Sequence, residues 1–166
     1  YKSFLDTSKT EREAVDAAVA LLEEKGYRPF DPEKKYEPGE KIYQVNRSKS
    51  LIAAVIGKES LCNGVRIAAA HIDSPRLDLK PRPVYEDTEL ALFKTHYYGG
   101  IKKYQWTAIP LALHGVIIDS KGNVIKVSIG EEEGDPVFCV TDLLPHLASD
   151  QMKRTLAEGV KGEDLN

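Results

Sequence analysis

An α/β core followed by a β-rich unit is predicted by three features of the 166-residue chain. One helical periodicity opens it, two apolar runs of strand length follow, and the second half alternates strand-like runs with Gly, Pro and Asn turns. Hydrophobic residues make up 42% and charged residues 30%, which suits a chain that buries a core and excludes one that is disordered throughout.

Ser8-Lys9-Thr10-Glu11 has the form of a capping box and predicts a helix start. Val15, Ala18, Val19 and Leu22 then fall on one face, and Lys25-Gly26 is a stop signal. Pro29, Pro32 and Pro38 make residues 28 to 41 a loop, because each lacks a backbone donor and restrains the residue before it. Ile42–Val45 reads as a short strand. Leu51–Gly57 and Val65–Ile72, separated by an Asn63-Gly64 turn, read as strands covered on both faces in the middle of a sheet. Pro75, Pro81 and Pro83 close this part. Beyond them, Leu113–Asp119 and Val124–Ile129 flank Ser120-Lys121-Gly122-Asn123 as a hairpin, with Gly and Asn placed for positive φ. Asp150–Glu158 is expected to form a short helix stopped by Gly159.

Charge places the boundary between the parts. Residues 1–81 carry a net charge of +1 and residues 82–166 a net −4, so a division near residue 82 is expected. The whole chain has a net charge of −3, without the basic footprint of a nucleic-acid binder. Its longest apolar runs, Leu51–Ile56 and Ile67–Ile72, fall far short of the roughly 20 residues of a membrane span. Neither nucleic acid nor membrane is therefore an expected partner. The opening Tyr1-Lys2-Ser3-Phe4 has no leader pattern, which makes the cytoplasm the expected location. Cys62 and Cys139 lack disulfide or zinc-finger spacing and are expected to be buried free thiols.

The stretch richest in chemistry is Ala68-Ala69-Ala70-His71-Ile72-Asp73-Ser74-Pro75, with an imidazole and a carboxylate two apart at a strand end. Period two puts both on one face. A neutral imidazole is a good zinc ligand, and its second ring nitrogen needs a carboxylate or carbonyl partner to fix tautomer and orientation. Asp73 is placed for that. The same pair also reads as a strand-end histidine satisfied by a loop acid, and spacing alone leaves both readings open.

His71-Ile-Asp-Ser-Pro-Arg-Leu-Asp-Leu-Lys-Pro81 resembles the signature around the first metal-binding histidine of the aspartyl aminopeptidase and vacuolar aminopeptidase I family, dinuclear zinc exopeptidases. Three further segments carry the resemblance in order along the chain. Phe4-Leu5-Asp6-Thr7-Ser8 is similar to the family's opening. Tyr98-Gly99-Gly100, Trp106 and Pro110-Leu111-Ala112 resemble the entry to its second domain, and Leu144-Pro145-His146-Leu147 a later part of it. Gln105-Trp106-Thr107-Ala108-Ile109 departs from the Thr-Trp-Phe-Asp-Arg often found there, which removes any salt bridge carried by that Asp-Arg pair.

The resemblance implies that residues 1–81 are the N-terminal part of a mixed-sheet zinc-exopeptidase catalytic domain, and residues 82–166 an incomplete β-rich dimerisation or lid domain. It implies His71 as a zinc ligand, Asp73 as the carboxylate that orients it, and His146 as a substrate-binding histidine lent to a neighbouring subunit. His96 and His114 have no counterpart. The activity implied is removal of N-terminal amino acids from peptides by metal-activated water. Two Zn²⁺ ions per complete site are implied, with Co²⁺ or Mn²⁺ able to replace them, and a tetrahedral homododecamer as the assembly. Family members draw their other ligands and a Glu base from a later stretch that this chain does not contain. Glu131-Glu132-Glu133 follows a hairpin strand and reads as a solvated acidic loop rather than that Glu pair. The chain is thus expected to be an N-terminal portion, inactive alone. A non-catalytic assembly module derived from such an enzyme is the rival class, and another dinuclear zinc peptidase or deacylase a third reading.

Overall fold

Two overlapping capping signals, Ser8-x-x-Glu11 and Thr10-x-x-Glu13, compete to start the first long helix, and Thr10 prevails. In the computed structural model, which describes residues 1–166, the Thr10 hydroxyl accepts from the Glu13 N–H at 3.3 Å. The Glu13 carboxylate accepts from the Thr10 N–H at 2.8 Å. Helix α2 (Glu11–Glu24) therefore begins with its cap two residues later than Ser8 predicts, and Ser8 is buried instead. A short helix α1 (Lys2–Asp6), unsignalled by the sequence pattern, precedes it. Ala14 and Val15 are the buried residues of α2, and Gly26, at φ +81°, follows its C-cap as expected.

The chain divides into two units, Tyr1–Ser74 and Pro75–Asn166. In the first, α2 is accompanied by a sheet of order β1-β2-β3, where β1 (Arg28–Pro29) runs parallel to β2 (Lys41–Asn46) and β2 antiparallel to β3 (Ser50–Val55). Tyr43 on β2 is buried and donates its hydroxyl hydrogen to Glu23 of α2 at 2.6 Å, which joins helix to sheet.

Two strand expectations need correction. β3 is an edge strand with Ile52 74% exposed, not a central strand covered on both faces. Val65–Ile72 forms no strand, and its Ile67 is 81% exposed. An apolar run records that its side chains favour burial, whereas a ladder also needs a partner in register, and no strand of this unit pairs with it.

The second unit opens on a long hairpin, β4 (Arg76–Asp87) and β5 (Leu90–Tyr98). The division at residue 75 lies ahead of the charge step near residue 82 because β4 already begins at Arg76. Pro81 and Pro83 interrupt β4 without ending it. Between the pairs Leu79–Thr95 and Val84–Phe93, the residues Lys80, Pro81, Arg82 and Pro83 bulge opposite Lys94, so neither proline is asked for a ladder N–H. The predicted second hairpin is present as β6 (Leu113–Ile118) and β7 (Val124–Ile129). In its turn Gly122 has φ +85°, while Asn123 donates its backbone and side-chain N–H groups to Asp119 at 2.8 Å. These bonds, the Asn123 side chain first, hold the Asp119 carboxyl below its usual range.

The core of this unit is Val140, Val160 and Leu165, with Leu77, Ile101, Tyr104, Trp106 and Leu111 packed against it. The helix expected over Asp150–Glu158 shrinks to one 3₁₀ turn, Gln151–Lys153. Met152 and Leu156 remain 71% and 68% exposed, so this segment lacks the buried face that stabilises short helices. Cys62 and Cys139 are free, as expected, but exposed rather than buried. Cys62 sits in a solvent-facing 3₁₀ turn (Leu61–Asn63), and Cys139 lies between the inward-facing Phe138 and Val140. No helix is long and apolar enough to cross a membrane.

Candidate metal-ligand site

The Ser60 hydroxyl caps the 3₁₀ turn by accepting from the Cys62 N–H at 3.3 Å, and Gly64, at φ +106°, redirects the chain. From there the backbone runs without regular structure to Ser74. Pro75 disfavours a helical Ser74, so the segment carrying His71 cannot coil into a helix through this point.

His71 and Asp73 meet, although in an irregular segment and not through the strand periodicity that predicts it. Nδ1 of His71 is 2.9 Å from the backbone carbonyl oxygen of Asp73 and 3.2 Å from its carboxylate Oδ1. A carbonyl oxygen only accepts, so Nδ1 carries a proton, and in the neutral ring Nε2 carries the lone pair. The His71 side chain is 84% exposed, which leaves that lone pair accessible to an incoming ion. The same contacts suit both readings of the sequence, a ligand histidine with its tautomer fixed by an outer partner and a histidine satisfied by a neighbouring acid.

His146 is not near this pair in the chain and is exposed within the second unit, in the turn Pro145–Leu147. The turn is held by Leu147 N–H donating to the Leu144 carbonyl at 2.9 Å and by Ala148 N–H donating to the same carbonyl at 3.0 Å. Ala148 is buried and anchors the turn, while Leu144 and Leu147 beside the imidazole face solvent.

The other two histidines have local partners. His114 Nε2 lies 2.8 Å from Glu131 Oε1, and His96 stacks on Tyr97 at 5.5 Å between ring centroids. Glu131 is therefore engaged with β6, and its loop is further fixed by Asp135. The N–H groups of Gly130 and Glu132 donate to Asp135 Oδ2 at 2.8 and 3.3 Å, and these bonds, Gly130 first, hold the Asp135 carboxyl below its usual range. This is the turn reading of the acidic run rather than a catalytic Glu pair.

A zinc site needs three or four convergent donors. No group of three or more His, Cys, Asp or Glu side chains converges in this chain. His71 fits the part of one ligand, with the correct nitrogen free, but these residues do not make a complete metal site. An apolar groove of about 290 Å³ in the second unit, lined by residues including Leu79, Phe93, Leu111, Phe138 and Val140, contains no charged side chain or imidazole, and its single thiol, Cys139, does not make a metal site. The Asp73 carbonyl is the one functional group of the site that residue identities do not signal, since every residue has one.

The architecture is a mixed α/β unit followed by a unit of β-hairpins. Residues 4–164 match the family model described as aminopeptidase I zinc metalloprotease (M18). The chain belongs to the M18 aminopeptidase family. It is 50% identical over 170 residues to the "Probable M18 family aminopeptidase 1" of Clostridium acetobutylicum, covering 100% of this chain and 37% of that protein. The crystal structure of the M18 aminopeptidase from Thermotoga maritima superposes with a TM-score of 0.89 at 44% identity, covering 98% of this chain and 36% of that one. Aminopeptidase I from Clostridium acetobutylicum gives 0.84 at 46% identity, with 98% and 36% covered. The chain thus spans little more than a third of the length of these relatives.

Proposed function

We propose that the chain forms the N-terminal portion of a zinc-dependent aminopeptidase that removes N-terminal amino acids from peptides, and that the portion is inactive alone. The observation that carries this reading is the His71 tautomer, with Nδ1–H turned to Asp73 and the Nε2 lone pair in solvent. In the complete site His71 ligates one of two metal ions, Zn²⁺ or, by availability, Co²⁺ or Mn²⁺, and Asp73 holds the ring. Zinc, when bound, supplies a Lewis acid and a water of lowered pKa. The remaining donors and the base come from outside residues 1–166. His146, presented on its anchored turn, reaches substrate in a neighbouring copy of a cytoplasmic homododecamer. The domains divide as catalytic, up to about residue 81, and assembly, from residue 82.

Metal analysis and a peptidase assay on the longest natural form test this reading. His71→Ala is expected to lose metal and at least 100-fold in activity, and unchanged metal content and turnover would refute the assignment. The second reading is a non-catalytic assembly module derived from the family, and the lack of a three-donor cluster in residues 1–166 is common to both readings. A longest natural form that binds no zinc and cleaves no peptide is the outcome expected of that reading.

A further inference from the structure

We infer that Asn63 is a site of spontaneous backbone modification, where an Asn-Gly pair closes to a succinimide and reopens largely as isoaspartate. The pair is expected from the sequence to supply a turn, and it does. Asn63 ends the 3₁₀ turn Leu61–Asn63, and Gly64 leaves it at φ +106°. The nucleophile is the Gly64 backbone nitrogen, and the electrophile is the Asn63 side-chain carbonyl carbon, Cγ. Both residues are exposed, and no heavy atom lies within 4 Å of where a Gly64 side chain would begin. The nitrogen is held back by Gly64 N–H donating to the Leu61 carbonyl at 3.0 Å, and the side-chain amide by donation to Glu59 Oε2 at 3.3 Å. A single 3₁₀ turn with no buried residue opens cheaply. Asn46 and Asn123 are placed differently. Asn123 is tied to Asp119 through its backbone and side-chain N–H groups, each at 2.8 Å, and the next nitrogen belongs to the β-branched Val124. Asn46 pairs with Ser50 in the β2–β3 ladder and precedes Arg47.

Once the turn opens and the Gly64 amide loses its proton to solvent, its nitrogen bonds to Asn63 Cγ. The Cγ–Nδ2 bond breaks, and ammonia leaves with a proton taken from water. Water then opens the cyclic imide at one of its two carbonyls, giving aspartate or isoaspartate. The net change exchanges an amide and a water for a carboxylate and an ammonium ion. In the isoaspartyl product the main chain runs through the former side chain, so the irregular segment that leads to His71 gains a backbone carbon and a negative charge. None of this depends on the zinc reading.

The longest natural form, aged for weeks at physiological temperature and mildly alkaline pH, tests the inference. Peptide mapping by mass spectrometry locates the modified residue, and methylation by an isoaspartyl methyltransferase with labelled S-adenosylmethionine measures the isoaspartyl fraction of each peptide. Asn63 is expected to convert roughly tenfold or more faster than Asn46 and Asn123, the difference that a glycine neighbour and a cheaply opened turn supply. Its rate should rise with pH, because the Gly64 nitrogen must first lose its proton. Asn63→Gln, which would have to close a larger ring, is expected to abolish methylation of that peptide. Ser60→Ala removes the hydroxyl that caps the turn by accepting from Cys62 N–H, and is expected to speed conversion about two- to tenfold. An Asn63 that stays intact, or that converts no faster than Asn46 and Asn123, would overturn the inference. So would a Ser60→Ala rate equal to or below that of wild type.

Discussion

The Tyr43 hydroxyl donates to Glu23 Oε1 at 2.6 Å across the gap between β2 and α2, with the tyrosine ring buried beneath the helix. The bond to the Glu23 carboxylate, reinforced by desolvation and by the carboxylate's charge, pushes the phenol above its usual 10.0. A pKa raised in the folded state means that the folded chain keeps a proton which the unfolded chain releases. The contribution is complete below the unfolded value and is lost as pH rises through the folded one. Denaturation of the first unit followed from neutral to strongly alkaline pH should show a fall beginning near pH 10 in wild type. Tyr43→Phe should remove that component of the fall, and an unchanged alkaline limb in this variant would contradict the assignment.

The competing caps at the start of α2 make a paired prediction. Thr10→Ala removes the acceptor for the Glu13 N–H and the partner of its carboxylate. Such a loss typically costs about 0.5–2 kcal/mol. Ser8 Oγ is buried without a hydrogen-bond partner, so Ser8→Ala removes a desolvated hydroxyl and is expected to be neutral or stabilising. Urea midpoints of the two variants, compared with wild type, should move in opposite directions or leave Ser8→Ala unmoved. Equal destabilisation would show that Ser8 is the working cap.

The β4–β5 turn stores strain that can be relieved. Thr88 and Glu89 occupy it with φ +50° and +64°, values that suit Asn-Gly far better than a β-branched residue and a glutamate. Thr88→Asn with Glu89→Gly is expected to stabilise the second unit by about 1–2 kcal/mol, the order of strain released at such positions. Thermal denaturation checks it, and a lowered midpoint would mean that the Thr88 hydroxyl's contact with Asp87, at 3.2 Å, outweighs the backbone cost.

The helix, the β2 and β3 strands and the β6–β7 hairpin were legible because each rests on local chemistry, a periodicity or a turn residue, whereas His71 and Asp73 meet without the strand whose period of two predicted it. Other features were not, and three of them fail for a physical reason that the fold makes plain. The β4–β5 hairpin hid behind Pro81 and Pro83, which read as breakers until the bulge opposite Lys94 shows where their missing donors cost nothing. Val65–Ile72 has strand composition without a register partner, so composition overstated its order. The Ser8 cap lost to Thr10 because two identical signals overlapped, and only packing of Ala14 and Val15 chooses the helix phase.

Burial decides the last prediction. Leu165 is 0% exposed and packs with Val140 and Val160, while Leu144 on the His146 turn is 60% exposed. Both are leucines of the second unit, so truncation to alanine removes the same atoms from very different surroundings. Leu165→Ala loses the transfer energy of its side chain and leaves a cavity beside Val140, which typically costs about 2–5 kcal/mol. Leu144→Ala removes groups already in water and should stay within about 0.5 kcal/mol in the isolated chain. Urea unfolding followed by Trp106 fluorescence reports this unit, because Trp106 packs against the same core. If Leu144→Ala proves as costly as Leu165→Ala, the turn carrying His146 is buried in solution, and its availability to a neighbouring copy fails with it.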